Sequence, residues 1–171
     1  MILVCYDGSA DAQAAIDHVV ELMPSADVTV LTVWEPFLDA MARSGAMGWG
    51  AGMGAATAYE DSEAIDDANE RRALATATEG AERVAPTVPK ARPRAAARDG
   101  AVGHTILAVA EELSADLIVL GTRGQGGLKS FLLGSVSHAV VEHADRAVMV
   151  VPSPEIAARR QRQIAHEAIT A

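Results

Sequence analysis

The chain has 171 residues, half of them hydrophobic, with a formal net charge of −9 and an isoelectric point near 4.9. That length implies one domain able to bury a core, and the acidic balance argues against nucleic-acid binding. The single cysteine, Cys5, excludes an internal disulfide framework, no apolar run approaches the roughly 18 residues of a membrane span, and the chain enters an apolar strand without a basic leader, so a cytoplasmic protein is expected.

Aromatic residues make up only 4% of the chain, so the core must come from Val, Ile, Leu and Ala. Residues 2–6, ILVCY, read as the first strand. Asp7, Gly8 and Ser9 turn the chain, and Ser9 is placed to cap a helix with Asp11 in its first turn. Ile16, Val19, Val20 and Met23 follow at the i, i+3, i+4, i+7 spacing of one helical face, and Pro24 stops it. Residues 28–34, VTVLTVW, form a β-branched second strand. This βαβ opening predicts a parallel sheet with right-handed crossovers. Ligands of such sheets bind outside the carboxyl ends of the strands, where Asp7 and Val33 fall.

Residues 39–58 are rich in Gly, Ala and Met and contain Trp49. They read as a flexible surface insertion, with a lid or a Met/Trp partner surface as the functional alternatives. Their glycines stand too far from a strand to be a dinucleotide fingerprint. A helix is expected over 61–85, with Glu60, Asp61 and Glu63 at its start and Leu74, Ala77, Thr78 and Ala81 on its buried face. Arg92 to Arg98 carries Pro93 and three arginines and reads as an edge strand. A helix with Ile106, Val109, Ala110 and Leu113 in register comes next, then a buried strand at 117–120, LIVL.

The glycine-rich stretch GTRGQGGLKSFLLGSVS follows directly. Ser135 reads as an N-cap, and Val136, Ala139, Val140 and His143 continue at helical spacing. A helix N-terminus leaves N–H groups unpaired and carries roughly half a positive charge, while glycine lets backbone approach an anion closely. No Asp or Glu occurs between Asp116 and Glu142, and Arg123 and Lys129 lie in that window. In an acidic chain, these features point to an anion site. A last strand at 147–151 completes five strands with helices between them. Residues 153–171 form an Ala/Arg/Gln-rich tail that reads as a solvated helix.

The spacing of Gly121, Gly124, Gly134 and Ser135 resembles the nucleotide-binding signature of the universal stress protein family, and the Asp-Gly-Ser turn at 7–9 resembles that family's opening, with Cys5 where a proline is usual. The resemblance covers residues 1–152 apart from the 39–58 insertion. It implies an α/β Rossmann-like three-layer sandwich with a five-stranded parallel sheet of order 3-2-1-4-5, and a homodimer joined through the last strand. It also implies binding of ATP with Mg2+. Asp7 and Val33 would hold adenine, Leu120 and Gly121 would lie along adenine and ribose, and Gly124, Gly134, Ser135, Val136 and Ser137 would face the phosphates, with Lys129 neutralising charge. The implied role is a nucleotide-dependent stress-response module with an unidentified protein partner. A slow ATPase or phosphotransferase on the same scaffold is the alternative.

Other chemistry is sparse. The five histidines show no metal-ligand spacing, no His/Asp arrangement accompanies Ser9, Ser135 or Ser137, and no base stands beside the glycine loop. The pattern is that of a binding site, with no catalytic residue assigned.

Overall fold

The computed structural model describes residues 1–45, 55–88, 90–124 and 133–170. Five strands, β1 (Ile2–Cys5), β2 (Val28–Trp34), β3 (Ala91–Ala97), β4 (Leu117–Gly121) and β5 (Ala147–Val151), alternate with helices α1 (Ala10–Leu22), α2 (Phe37–Ser44), α3 (Ala55–Val84), α4 (Val102–Glu112), α5 (Ser135–His143) and α6 (Pro154–Thr170). The sheet is parallel throughout, in the order β3-β2-β1-β4-β5, as expected. Side chains along the central strands alternate between two apolar layers. Val4, Val30 and Val119 pack with Ile16 and Val19 of α1 and Ala81 and Val84 of α3. Leu3, Leu31, Ile118 and Leu120 pack with Ile106 and Val109 of α4 and Val140 of α5. Both faces of the sheet are therefore covered, which is why β1 and β4 read as unbroken apolar runs.

Ser9 caps α1 by accepting from the Ala12 amide at 3.2 Å, as its position predicts. β3 is an edge strand, and its Pro93 sits where no ladder bond on the outer side is lost.

Three expectations need correction. The segment 39–58 is not one irregular insertion: residues 39–44 belong to α2, and α3 begins at Ala55 rather than at 61. Ala55, Ala56 and Ala58 are strong helix formers and extend α3 backwards. α2 half-buries Phe37, Leu38, Ala40 and Met41, and its first amide donates to Asp66 Oδ1 of α3 at 2.7 Å. Residues 46–54 lie outside the described residues.

The second correction concerns the seam of α3. Leu74 is 43% exposed, and the buried positions between residues 73 and 84 are Ala73, Ala77, Gly80, Ala81 and Val84. The helix lies so close to the sheet that a Cβ at Gly80 would come within 2.9 Å of both the Tyr6 ring and Val30. Only small residues fit that seam, so the larger Leu74 turns outward. The third correction is at α5: Gly134, with φ −60° and ψ 156°, is the N-cap, and Ser135 is the first helical residue.

Candidate functional site

The strand order reverses at β1, whose neighbours are β2 and β4. At such a reversal the loops leaving adjacent carboxyl ends diverge and leave a crevice. Here that crevice has a volume of about 130 Å³. Cys5, Tyr6 and Asp7 line it from the end of β1, Leu31 and Val33 from β2, and Leu120, Gly121, Arg123 and Gly124 from β4 and the loop after it. Ala12 of α1, Val102 and Ile106 of α4, and Val136 and Ser137 of α5 complete the wall.

Seven of the ten residues expected at a nucleotide site therefore lie on this wall: Asp7, Val33, Leu120, Gly121, Gly124, Val136 and Ser137. Gly134 and Ser135 form the adjoining start of α5. Lys129 lies outside the described residues. Val102 and Ile106 were not foreseen as site residues. Ile106 was legible as part of a buried helical face, but only the strand order shows that this face reaches the crevice.

Asp7 has two jobs. Oδ1 accepts the Ser9 amide at 3.0 Å and closes the turn into α1. Oδ2 faces Gly124, where an added Cβ would stand 2.5 Å away. Oδ1 thus serves the turn, and the same side chain lines the crevice wall. Gly121 is also a steric necessity, and Gly134 sits in a tight contact. A Cβ on Gly121 would come within 2.6 Å of Asp11 Cβ and 2.7 Å of the Asp11 carbonyl carbon. The end of β4 is thereby clamped to the first turn of α1, a contact reinforced by the Thr122 hydroxyl donating to the Asp11 carboxylate. Gly134 donates its amide to the Thr122 carbonyl at 2.8 Å, and its own Cβ would meet that oxygen at 3.2 Å.

The amides of Ser135, Val136 and Ser137 begin α5 and have no acceptor within the helix by geometry. No acidic side chain sits in the first turn of α5, so its positive end is not locally cancelled. The Ser137 hydroxyl is 4% exposed and donates to the Gly121 carbonyl at 2.8 Å. It fastens α5 to β4, so the group Ser137 can offer a ligand is its amide.

Cys5, half-buried, and Tyr6, buried, form the floor. Burial, and secondarily the Asp7 carboxylate, push the Cys5 thiol up to about 12. Tyr6 is 2% exposed, donates its hydroxyl to Glu79 Oε1 of α3 at 2.8 Å, and is likewise raised to about 12 by burial and by that carboxylate. Neither group ionises near neutral pH, so the floor is uncharged. Among the described residues no cluster of three His, Cys, Asp or Glu side chains could hold a metal ion, and no helix is long and apolar enough to cross a membrane.

An apolar slot ending on a carboxylate, with a helix N-terminus at its other side, on a parallel sheet of this order, is the arrangement of a universal stress protein domain. The family model for the universal stress protein family matches residues 1–152, and the chain belongs to that family. The universal stress protein MJ0531 of Methanocaldococcus jannaschii is 44% identical over 57 residues, which are 33% of this chain and 34% of that relative. The chain thus matches about a third of the length of the curated relatives. Among solved structures, the universal stress protein UspA from Lactobacillus plantarum aligns over 88% of this chain and 95% of its own, with 27% identity and a TM-score of 0.65. The universal stress protein from Archaeoglobus fulgidus in complex with dAMP aligns over 88% and 95%, with 17% identity and a TM-score of 0.58.

Proposed function

We propose that this protein binds ATP in the β1/β4 crevice and acts as a nucleotide-dependent module of the stress response. The observation that carries the reading is the pairing of Asp7 with the amide-rich start of α5 across one apolar slot. A base needs flat apolar walls and a hydrogen-bonding edge, which Val33, Leu120, Ile106 and Asp7 supply. Phosphates need unpaired amides at a helix N-terminus, which Ser135, Val136 and Ser137 supply. Gly121 and Gly124 keep the loop free of side chains between the two, and Gly134 does the same at the rim. Lys129 is assigned to the phosphates on its place in the acid-free loop. Mg2+ enters with the phosphates, held by their oxygens and water rather than by a protein cage. A family member of the same fold has been solved with dAMP, which supports an adenine nucleotide as the ligand class.

The nucleotide state would be read by a second copy and by other proteins. The β5 edge carries Val148, Met149 and Val150, all only half-buried, and an apolar open edge favours strand pairing with a second copy. Calorimetric titration with ATP, ADP and cyclic AMP, with and without magnesium, tests the site. Saturable ATP binding that is weakened about tenfold or more in Gly124→Ala, with the fold intact by circular dichroism, is the expected result. Absence of binding by folded wild-type protein overturns it. Sedimentation of the same sample gives the oligomeric state, and a monomer at micromolar concentration overturns the β5 pairing.

A further inference from the structure

At the carboxyl end of β2, between α2 and α3, lies a second cavity of about 440 Å³. Asn69, Arg72, Ala73 and Thr76 of α3 line one side of it, at the spacing of a single helical face. Thr32, Val33, Trp34 and Glu35 of β2 and its exit line the other, with Ala40 of α2 above. Asp7 and Val33 belong to this wall and to the crevice wall at once. The two spaces therefore meet at the residues assigned to the base.

The charges in this cavity are simple. The Glu35 carboxylate is engaged by Arg43 of α2 and by Arg98, the latter at 3.0 Å. Among the described residues, the Asn69 and Arg72 side chains make no hydrogen bond or ion pair, and the Arg72 backbone carbonyl accepts from Thr76. Among the described residues lining the space, the cation is Arg72, whose guanidinium is a donor fork suited to carboxylate or phosphate.

An ionised carboxylate only accepts hydrogen bonds. On an adenine base attached to ribose, the only N–H donors belong to the 6-amino group. If Asp7 holds adenine, that amino group stands at the junction of the two cavities. A substituent on it would leave one N–H for Asp7 and would have the α3-side space to enter. We infer that the second cavity is a subsite for a negatively charged substituent on the 6-amino group, with Arg72 and Asn69 as its anchors and Trp34 as its apolar wall. This rests on the nucleotide reading of the crevice and extends it from ATP to 6-amino-substituted adenine nucleotides.

The test is calorimetry with three probes: ATP, N6-(2-carboxyethyl)-ATP and the neutral N6-propyl-ATP. The expected result is that wild-type protein binds the carboxyethyl analogue at least as tightly as ATP and more tightly than the propyl analogue. Arg72→Ala should weaken the carboxyethyl analogue about tenfold, the scale of a hydrogen bond to a charged group, and leave ATP within twofold. The inference is overturned if ATP binds while the carboxyethyl analogue binds tenfold worse, if the two analogues bind alike, or if Arg72→Ala weakens ATP as much as the analogue. Failure of ATP itself to bind overturns the reading of the crevice, and this one with it.

Discussion

Replacing Gly124 with alanine separates the steric role of a glycine from a conformational one. Positive φ is confined to Gly8, Gly45 and Gly100 among the described glycines, so alanine at 124 meets no backbone penalty. It meets Asp7 instead: the new Cβ would stand 2.5 Å from Oδ2, inside the 3.0 Å that such contacts respect. The carboxylate must retreat by about half an ångström. Its other oxygen is tied to the Ser9 amide at 3.0 Å, so it cannot simply slide and must rotate away from the crevice. A hydrogen bond to a charged group contributes about 1.5–3 kcal/mol, and each 1.4 kcal/mol is about tenfold in affinity. Gly124→Ala should therefore weaken ATP binding by roughly ten- to a hundredfold, with folding stability changed by less than about 0.5 kcal/mol. In an Asp7→Ala background the same substitution should cost less than about threefold, because the two act through one contact. Wild-type affinity in Gly124→Ala, or an equal loss in both backgrounds, would refute the reasoning.

Four further outcomes follow from the same geometry, each read by urea denaturation unless stated. Gly121→Ala drives a Cβ into the backbone of Asp11 and Ala12, which can only shift as a unit, so it should destabilise by about 3 kcal/mol or more. Unchanged stability would show that β4 and α1 are not clamped there. Thr122→Val leaves the Asp11 carboxylate, 6% exposed, without its hydroxyl donor and should cost about 1–3 kcal/mol. Gly80→Ala gains about 1 kcal/mol of helix propensity but presses on Tyr6 and Val30 at 2.9 Å, where overpacking costs about 1–3 kcal/mol; a net loss is expected, and a net gain would mean the seam is looser than described. The folded Cys5 pKa of about 12 stands above the ordinary 9.0, so the folded state keeps its proton longer than the unfolded chain. The resulting stability is intact below pH 9 and is lost as pH rises from 9 towards 12, and disulfide-reagent labelling at pH 8 should be slow in native protein and fast in urea.

Much of this was legible because the elements that build the sheet are dictated locally. A β-branched run such as 28–34, or an apolar run such as 117–120 ended by glycine, can satisfy its burial only inside a covered parallel sheet. The Ser9 cap and the Asp7 turn are short-range bonds with a sequence-local cause. What the sequence withheld depends on partners distant along the chain. Leu74 and Ala73 are adjacent, and periodicity alone favours the larger side chain as the buried one. The distance between α3 and the sheet, set by Tyr6 and Val30, reverses that choice. α2 was hidden because its short apolar set, Phe37, Leu38 and Met41, runs into Gly/Met-rich sequence, and its N-terminus is held by Asp66, twenty-nine residues away. Val102 and Ile106 join the site only through the strand order.

The glycine signature carries two meanings that the sequence superimposes. Gly121 is demanded by the contact between β4 and α1, and Gly134 by the Thr122 carbonyl that fixes the start of α5. Gly121 would be needed by a protein that held this fold and bound nothing, and the Gly134 contact, at 3.2 Å, likewise belongs to the packing. Gly124 differs, because the atom it spares is Oδ2 of Asp7, on the crevice wall, while the Ser9 amide in the turn into α1 donates to Oδ1. Of the three, Gly124 is therefore the position whose identity reports on a ligand rather than on packing. The same logic applies to the serines. The Ser137 hydroxyl is consumed within the fold, so its presence argues for the α5 to β4 joint, and on the proposed reading a ligand would meet the amides of residues 135–137. On the proposed reading, discrimination between nucleotides would rest on Asp7 at one end of the slot and on the positive end of α5 at the other. The apolar walls between them, Val33, Leu120 and Ile106, would add affinity without choosing among adenine nucleotides, because they meet the base that all of these share.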